Sequence, residues 1–531
     1  MSTPDLGHEI CALIEWSIVI IIPIDEMQTL GLSFRFDSHL NSTHTFPKPR
    51  LMTSANEGDT AKHKVTMNKQ VKSDLYQGLF PIYHLSKGFG LLPVRFTIQA
   101  SGRYNSKIHV LEIIYGVCLL LLFICAEIWG LWRDLRDGWV HSTRLKHQTA
   151  LNVTIGDVVA VALLAAVGVL GAPFRWKYIQ EIMGRLVDAD ERIGFINAKK
   201  TRRFAIIITG GALVYLITIS SLDVYVWDMQ TKLKRKMPDK GPINYSPIYF
   251  LYMQALMIEI QYTITTYNLN ERFLRLNKNL ETLLKTGRNL SEKDVNFSSE
   301  CKDQNEFLTY PRAGIEARPA RVFRTPKVSD WMAGDGETRE TTDTISQLIN
   351  VHSSICDTNV LLNKAFGLPI LVVTITCLLH LIITPYFLMM EANSDKEALF
   401  IAVQFAWCAF HVFRMLIVVQ PCYATTTESK RTAVLVSQLL TYHWEPYVRK
   451  QLELFSLQLL HRPLDFTACG LFSLDRALIT SMAGAVTTYL VILIQFQKAD
   501  DTKDANNMLK NATLLLQNVS SLHNSTGVKT P

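Results

Sequence analysis

From residue 477 to 497 the chain reads ALITSMAGAVTTYLVILIQFQ, without one charged side chain. At about 1.5 Å of rise per residue, roughly 20 such residues reach across a ~30 Å hydrocarbon core. Six further stretches, 108–132, 153–174, 204–227, 246–268, 366–390 and 398–419, are comparably long and mostly apolar. Inside a bilayer a backbone must satisfy its own hydrogen bonds, so segments of this length are helices. The sequence therefore predicts an all-α membrane protein with seven transmembrane helices. Composition agrees: 19% of residues are charged, where soluble domains carry about a quarter.

The last stretch is not uniform. Thr480, Gly484, Thr488, Val491 and Gln495 recur at steps of three or four, which draws a small or polar stripe down one side of an apolar cylinder. Such a stripe serves as a packing seam, because small residues let membrane helices approach closely. It serves equally as a wet wall, with Thr488 and Gln495 facing a conduction path and Phe496 closing it by dewetting. The residue pattern leaves both readings open.

Lys and Arg near the span ends set the orientation. The loop 175–203 carries Arg175, Lys177, Arg185, Arg192, Lys199, Lys200, Arg202 and Arg203, and 269–365 also holds many basic residues, 14 Lys and Arg, whereas 391–397 has only Lys396. Both basic loops are expected in the cytosol, which puts the N-terminus inside and the C-terminus outside. Sequons at Asn511, Asn518 and Asn524 fit an external tail, although Asn289 and Asn296 fall in a loop assigned to the inside. The net charge of +7 is thus a topology signal, and no nucleic-acid partner is expected.

These readings divide the chain. Residues 1–82 form a cytosolic, partly disordered extension, and 83–268 hold the first four spans. Residues 269–365 are a cytosolic loop with helical extensions and, at 311–340, a Pro/Arg/Gly-rich insert expected to be disordered. Spans five and six occupy 366–419, a cytosolic anchor region 420–470, the final span 471–497 and an extracellular tail 498–531. Within the anchor, 429–460 has leucines at helical spacing among charges and is expected to be one amphipathic helix. CALIEWSIVIIIPI at 11–24 is too short to span and lacks a basic flank, so it is not read as a cleaved signal. In YHLSKGFGLLP, 83–93, two glycines and Pro93 argue against a continuous helix. Nine cysteines show no metal-ligand spacing, and no catalytic motif or cofactor is expected.

Ionisable and polar groups inside the bilayer are costly, so each is a functional candidate. Threading the topology forward places Asp157, Asp223 and His380 in the outer half, with Gln404, Trp407 and His411 on the sixth span at steps of three and four. Thr376, His380 and Thr384 share a face of the fifth. An indole, imidazoles, an amide, hydroxyls and a carboxylate at one depth suit a polyhydroxylated ligand, whose C–H faces stack on rings and whose hydroxyls need fixed partners. Each could instead be a separate interhelical contact worth under about 2 kcal/mol. Arg414 is expected to snorkel toward the inner head groups, and Glu127 to be wet at the outer rim. Glu259 has no obvious partner, and Pro385 is expected to kink the outer end of its helix.

Thr488, Tyr489 and the Gln495–Phe496 pair resemble the terminal signature of insect gustatory receptors. CLLHLIITPYF at 377–387, WCAFHVFRMLIVVQPC at 407–422 and FTACG at 466–470 are similar to the fructose-type branch, and the likeness runs over about 83–497. The resemblance implies the insect chemoreceptor channel fold: a homotetramer, or a heteromer with other gustatory receptors, in the plasma membrane and its lipids. The final helix would line a cation pore through Thr488, Val491, Gln495 and Phe496. Each subunit would bind a sugar, fructose first, at Asp157, Thr376, His380, Gln404, Trp407 and His411. A bitter or other tastant is the alternative ligand. A G-protein-coupled receptor is disfavoured by WDMQTKLKRK after the third span, where the acidic-Arg-aromatic triplet is missing, and a secondary transporter by the lack of internal repeats.

Overall fold

Helix packing is organised around the fourth apolar stretch, the least apolar of the seven. The computed structural model describes residues 78–98, 104–138, 148–194, 198–233, 246–303, 328–392 and 398–525. Residues 1–77 of the expected extension and 311–327 of the expected insert lie outside the described residues. A short helix α1 (78–88) leads into the hairpin β1 (Val94–Ile98) and β2 (Tyr104–Ile108), antiparallel with Val94 opposite Ile108. Long helices follow: α2 (Val110–Gly138), α3 (Gln148–Leu170), α4 (Ala172–Ile193), α5 (Ala198–Leu233), α6 (Pro247–Asp303), α7 (Val328–Ala392) and α8 (Ala398–Leu439). The chain ends with α9 (Pro446–His461), a small hairpin of β3 (Thr467–Ala468) and β4 (Phe472–Ser473), and α10 (Arg476–Ser525).

Five of these helices are long and apolar enough to cross a membrane alone, and a sixth crossing is possible if the pair α3–α4, bent by 57°, counts as one. α6 is not among them. Its Gln254, Glu259, Gln261 and Asn268 lower the hydropathy, yet Leu251 and the run from Ala255 to Ile260 are completely buried. Protein rather than lipid surrounds this helix, so its side chains need not be apolar throughout. Its broadest contact is with α8, and α7, α3, α5, α2 and α4 also pack on it. α2 and α10 sit at the periphery with most side chains exposed.

Several helices are far longer than a bilayer is thick. At 57 and 65 residues, α6 and α7 run to about 85 and 100 Å, so each continues well beyond the membrane. There Arg272 pairs with Asp190 at 2.6 Å, Asn277 bonds Glu428 of α8, and Asn359 and Asn363 hold the Asp465 carbonyl. α7 already begins at Val328, inside the segment whose composition predicts disorder. It also remains helical past Pro369 and Pro385 to Ala392, so Pro385 does not end it.

Three boundaries differ from expectation. The second apolar stretch does not run to 174: it breaks at Gly171, and Pro173 sits in the first turn of α4, where its missing N–H costs nothing. Residues 429–460 are two helices rather than one. α8 carries on to Leu439, residues 440–445 are turn and coil, and Pro446 starts α9; Glu445, directly before the proline, is driven out of helical geometry with ψ 146°. α10 is one helix from the last apolar stretch through Ser525, well into the tail. Segment 83–93 behaves as its glycines predict, turning at Gly90 with φ +74°. A Cβ on Gly116 of α2 would fall 2.6 Å from the Gly90 carbonyl oxygen, so two glycines permit this contact.

The extramembrane end of α7 holds a pH-sensitive contact. His352 is fully buried between the rings of Phe273 and Phe455, and the Gln458 amide donates to its Nδ1 at 3.1 Å. Burial first, then the nearby Arg462 charge, pushes its pKa down to about 4. The unfolded imidazole takes a proton near 6.5, so between these values the unfolded chain binds more protons and stability falls as pH falls. That stability is intact above about pH 6.5, and of order 3 kcal/mol is lost by about pH 4. Melting in detergent should therefore drop on acidification, and His352→Gln should flatten the slope. Identical slopes would remove His352 as the cause.

Candidate ligand site and terminal helix

Four helices bring the expected polar residues together. His380 of α7 is 2% exposed; its Nδ1 contacts the Thr376 carbonyl and its Nε2 contacts Oδ1 of Asp157 on α3. The Tyr252 hydroxyl of α6 lies 2.5 Å from the same Nε2 and donates to Asp157 at 3.4 Å. From α8, His411 stacks on His380 with centroids 4.4 Å apart, and Trp407 lies 6.1 Å from His411 and 5.5 Å from Tyr252. The Tyr249 ring stacks on Trp407 at 6.0 Å, and its hydroxyl donates to Asp223 at 2.6 Å. The i, i+4 step from Trp407 to His411 aims both at α6 and α7.

Two expected members stand differently. Thr376 is buried, but its hydroxyl donates to the Val373 carbonyl of its own helix at 2.9 Å, so its backbone carbonyl is what meets His380. Gln404 is half-buried, one turn before Trp407. Tyr252, which meets Asp157, His380, Trp407 and His411, is not among the residues the sequence points to. Its spacing of seven from Glu259 puts both on one face and was the available signal.

Beside Tyr252 lies a buried ion pair. Arg414 does not snorkel: it is 1% exposed and grips Glu259 through Nε at 2.9 Å and Nη2 at 2.5 Å. Its charge is met inside the protein by the Glu259 carboxylate of the adjacent helix α6. The guanidinium carbon also sits 5.9 Å from the Tyr252 ring centroid and 5.8 Å from that of Phe410. The hydrogen-bonded group Asp157, His380 and Tyr252 and the pair Arg414 and Glu259 thus meet through the Tyr252 ring in one polar column. Glu127 is likewise buried at 1%, not wet at a rim.

α10 meets the bundle along one edge only, through Leu478, Ile479 and buried Met482. At about 100° per residue, Thr480, Gly484, Val491 and Gln495 point away from Met482, on the opposite side. Thr488, Tyr489, Val491 and Gln495 are exposed in the single chain. The Thr480 and Thr488 hydroxyls bond carbonyls of their own helix, at 2.8 and 3.0 Å. The Phe496 side chain lies outside the described residues.

Known proteins resemble this chain over most of its length. The family model described as 7tm Chemosensory receptor matches residues 79–500. The gustatory receptor for sugar taste 43a of Drosophila melanogaster is 29% identical over 438 residues, 80% of this chain and 100% of that protein. The Drosophila melanogaster gustatory receptor for bitter taste 66a is 26% identical over 170 residues, 31% of this chain and 32% of that one. Among solved structures, the insect olfactory receptor OR5 from Machilis hrabei in complex with eugenol aligns with a TM-score of 0.53 at 12% identity. That alignment covers 80% of this chain and 99% of the other, and it supports the fold.

Proposed function

This chain belongs to the 7tm chemosensory receptor family, among the insect gustatory receptors, and from that premise we propose a ligand-gated, non-selective cation channel opened by a sugar, with fructose the leading candidate. The observation that carries the reading is the convergence of Asp157, Tyr252, His380, Trp407 and His411 from four helices. Aromatic faces beside fixed hydrogen-bond partners are what a sugar requires, and leaving such buried partners unpaired is penalised. The full-length similarity to a sugar-taste receptor favours the same ligand class. The shorter match to a bitter-taste receptor keeps a bitter tastant as the second reading.

The proposed assembly is a homotetramer, or a heteromer with other gustatory receptors, in the plasma membrane. Seven spans would leave the N-terminus in the cytosol and the C-terminus outside. Four α10 helices would turn the Thr480–Gln495 stripe toward a shared axis, since that side faces away from each subunit's own bundle. Trp407 is 8% exposed and His380 2%, so a sugar entering here must part Trp407 from Tyr252 and His411. Binding opens the channel only to the extent that the parted arrangement is also the open one.

The test is to express the chain alone and record whole-cell current while applying fructose, other sugars and bitter compounds. A sugar-evoked current that reverses near zero without added G protein is expected. Current evoked by bitter compounds only would replace the sugar with the second reading, and silence to all of them would reject the proposal.

A further inference from the structure

Outside the polar column a half-open pocket of about 420 Å³ lies between the 79–96 segment and helices α4, α6 and α7, with exposed Phe80 and Arg95 at its mouth. That volume is in the range of small-molecule sites, roughly 300–1,000 Å³. Its walls are mainly apolar, with Leu79, Ile82, Phe96, Met183, Ile264 and Phe366 among them. It shares no lining residue with the Asp157–Trp407 cluster.

Two features give the cavity a chemical preference. Lys87 and Arg95 line it, and both bond the single carboxylate of Glu112 at 3.0 Å, so the group carries one surplus positive charge. Arg95 engages Glu112 through Nε, which leaves most of its five donors for another acceptor. In addition, Ser86 and Trp176, 1% and 5% exposed, line the cavity with the Ser86 hydroxyl and the Trp176 indole N–H unpartnered, and both amide atoms of Gln261 are unpartnered too. Each such buried group costs about 1–3 kcal/mol while it lacks a partner.

We propose that this cavity is a second ligand site that takes an anionic amphiphile, its hydrocarbon tail among the apolar walls and its carboxylate or phosphate head against Lys87 and Arg95. The head and the water it carries supply partners to Ser86, Trp176 and Gln261. α6 and α7 contribute Gln261 and Phe366 here and Tyr252 and His380 above, so an occupant braces the same two helices that build the polar column. The inference stands independently of the sugar reading.

The experiment is photolabelling of the full-length protein in a neutral detergent with a diazirine-bearing fatty acid. Adducts are expected within 79–96, 176–183 and 261–265, with oleate competing and its uncharged methyl ester failing to compete. Phosphatidylserine competing as well as oleate would mark a membrane lipid as the source, oleate competing alone would mark a free fatty acid, and either supports the site. Lys87→Ala with Arg95→Ala should weaken labelling about 10- to 100-fold, the scale of lost charged hydrogen bonds. Met183→Trp, which fills the cavity, should abolish it. If either variant misfolds, the acid-against-ester comparison on the unaltered protein still decides. Equal competition by ester and acid, or adducts confined to the exposed faces of α2 and α5, would overturn the proposal.

Discussion

Arg414→Met alone should destabilise the protein by about 3–5 kcal/mol, the usual cost of leaving one partner of a buried ion pair uncompensated. Arg414 and Glu259 are 1% and 0% exposed and share three hydrogen bonds of 2.5 to 3.2 Å. Without the guanidinium, the Glu259 carboxylate would be stranded among side chains of a fully buried stretch of α6. Glu259→Leu alone should cost a similar amount by stranding the arginine instead. The double variant Arg414→Met/Glu259→Leu should recover most of either loss, because an apolar pair of similar volume removes both desolvation costs together. Thermal unfolding in detergent and the amount of protein at the cell surface read the cycle. A single variant costing under about 1 kcal/mol is what an exposed, snorkelling arginine would give, and that result would contradict the buried pair.

That pair also marks where the sequence stopped being informative. The apolar stretches are local signals, and the structure has helices over each of them. Pairing between residues 155 positions apart leaves no local trace, so the sequence offers Glu259 no partner and points Arg414 to the head groups. Outside the membrane the long helices continue because leucine and isoleucine keep recurring at helical spacing, from Leu269 to Leu284 in α6 and from Ile345 to Leu362 in α7. Two breaks are written locally. Gly171 with Pro173 stops one helix and starts the next, and Pro446 starts α9 while holding Glu445 out of helical geometry.

The ligand cluster was half legible for the same reason. His380, Trp407 and His411 stand out as polar or amphipathic groups in apolar runs, but Tyr252 sits in a stretch with several tyrosines and gains its place only when α6 occupies the centre. Thr376 was chosen by spacing alone, and its hydroxyl turns back to its own helix. Helical periodicity fixes the face of a residue, and tertiary packing then decides which atom reaches the site.

Trp407→Ala should raise the sugar concentration for half-maximal current by roughly 30- to 1,000-fold, as expected when about 2–4 kcal/mol of an aromatic anchor is lost. The indole is the largest apolar surface in the proposed site, with Tyr249, Tyr252, Phe410 and His411 around it. It is the side chain best placed to stack on the C–H face of a sugar ring once the cluster parts. Truncating a buried tryptophan also leaves a void worth about 3–5 kcal/mol of stability, so current must be normalised to surface protein. Trp407→Phe separates the two effects. It keeps a flat aromatic face, should retain most of the surface population and should shift the dose response less than the alanine variant does. Tyr252→Phe removes only the hydroxyl shared by Asp157 and His380, and it should shift the response without loss of protein. An unchanged dose response in Trp407→Ala, with the protein at the surface, would take Trp407 out of the site and leave the cluster as interhelical packing.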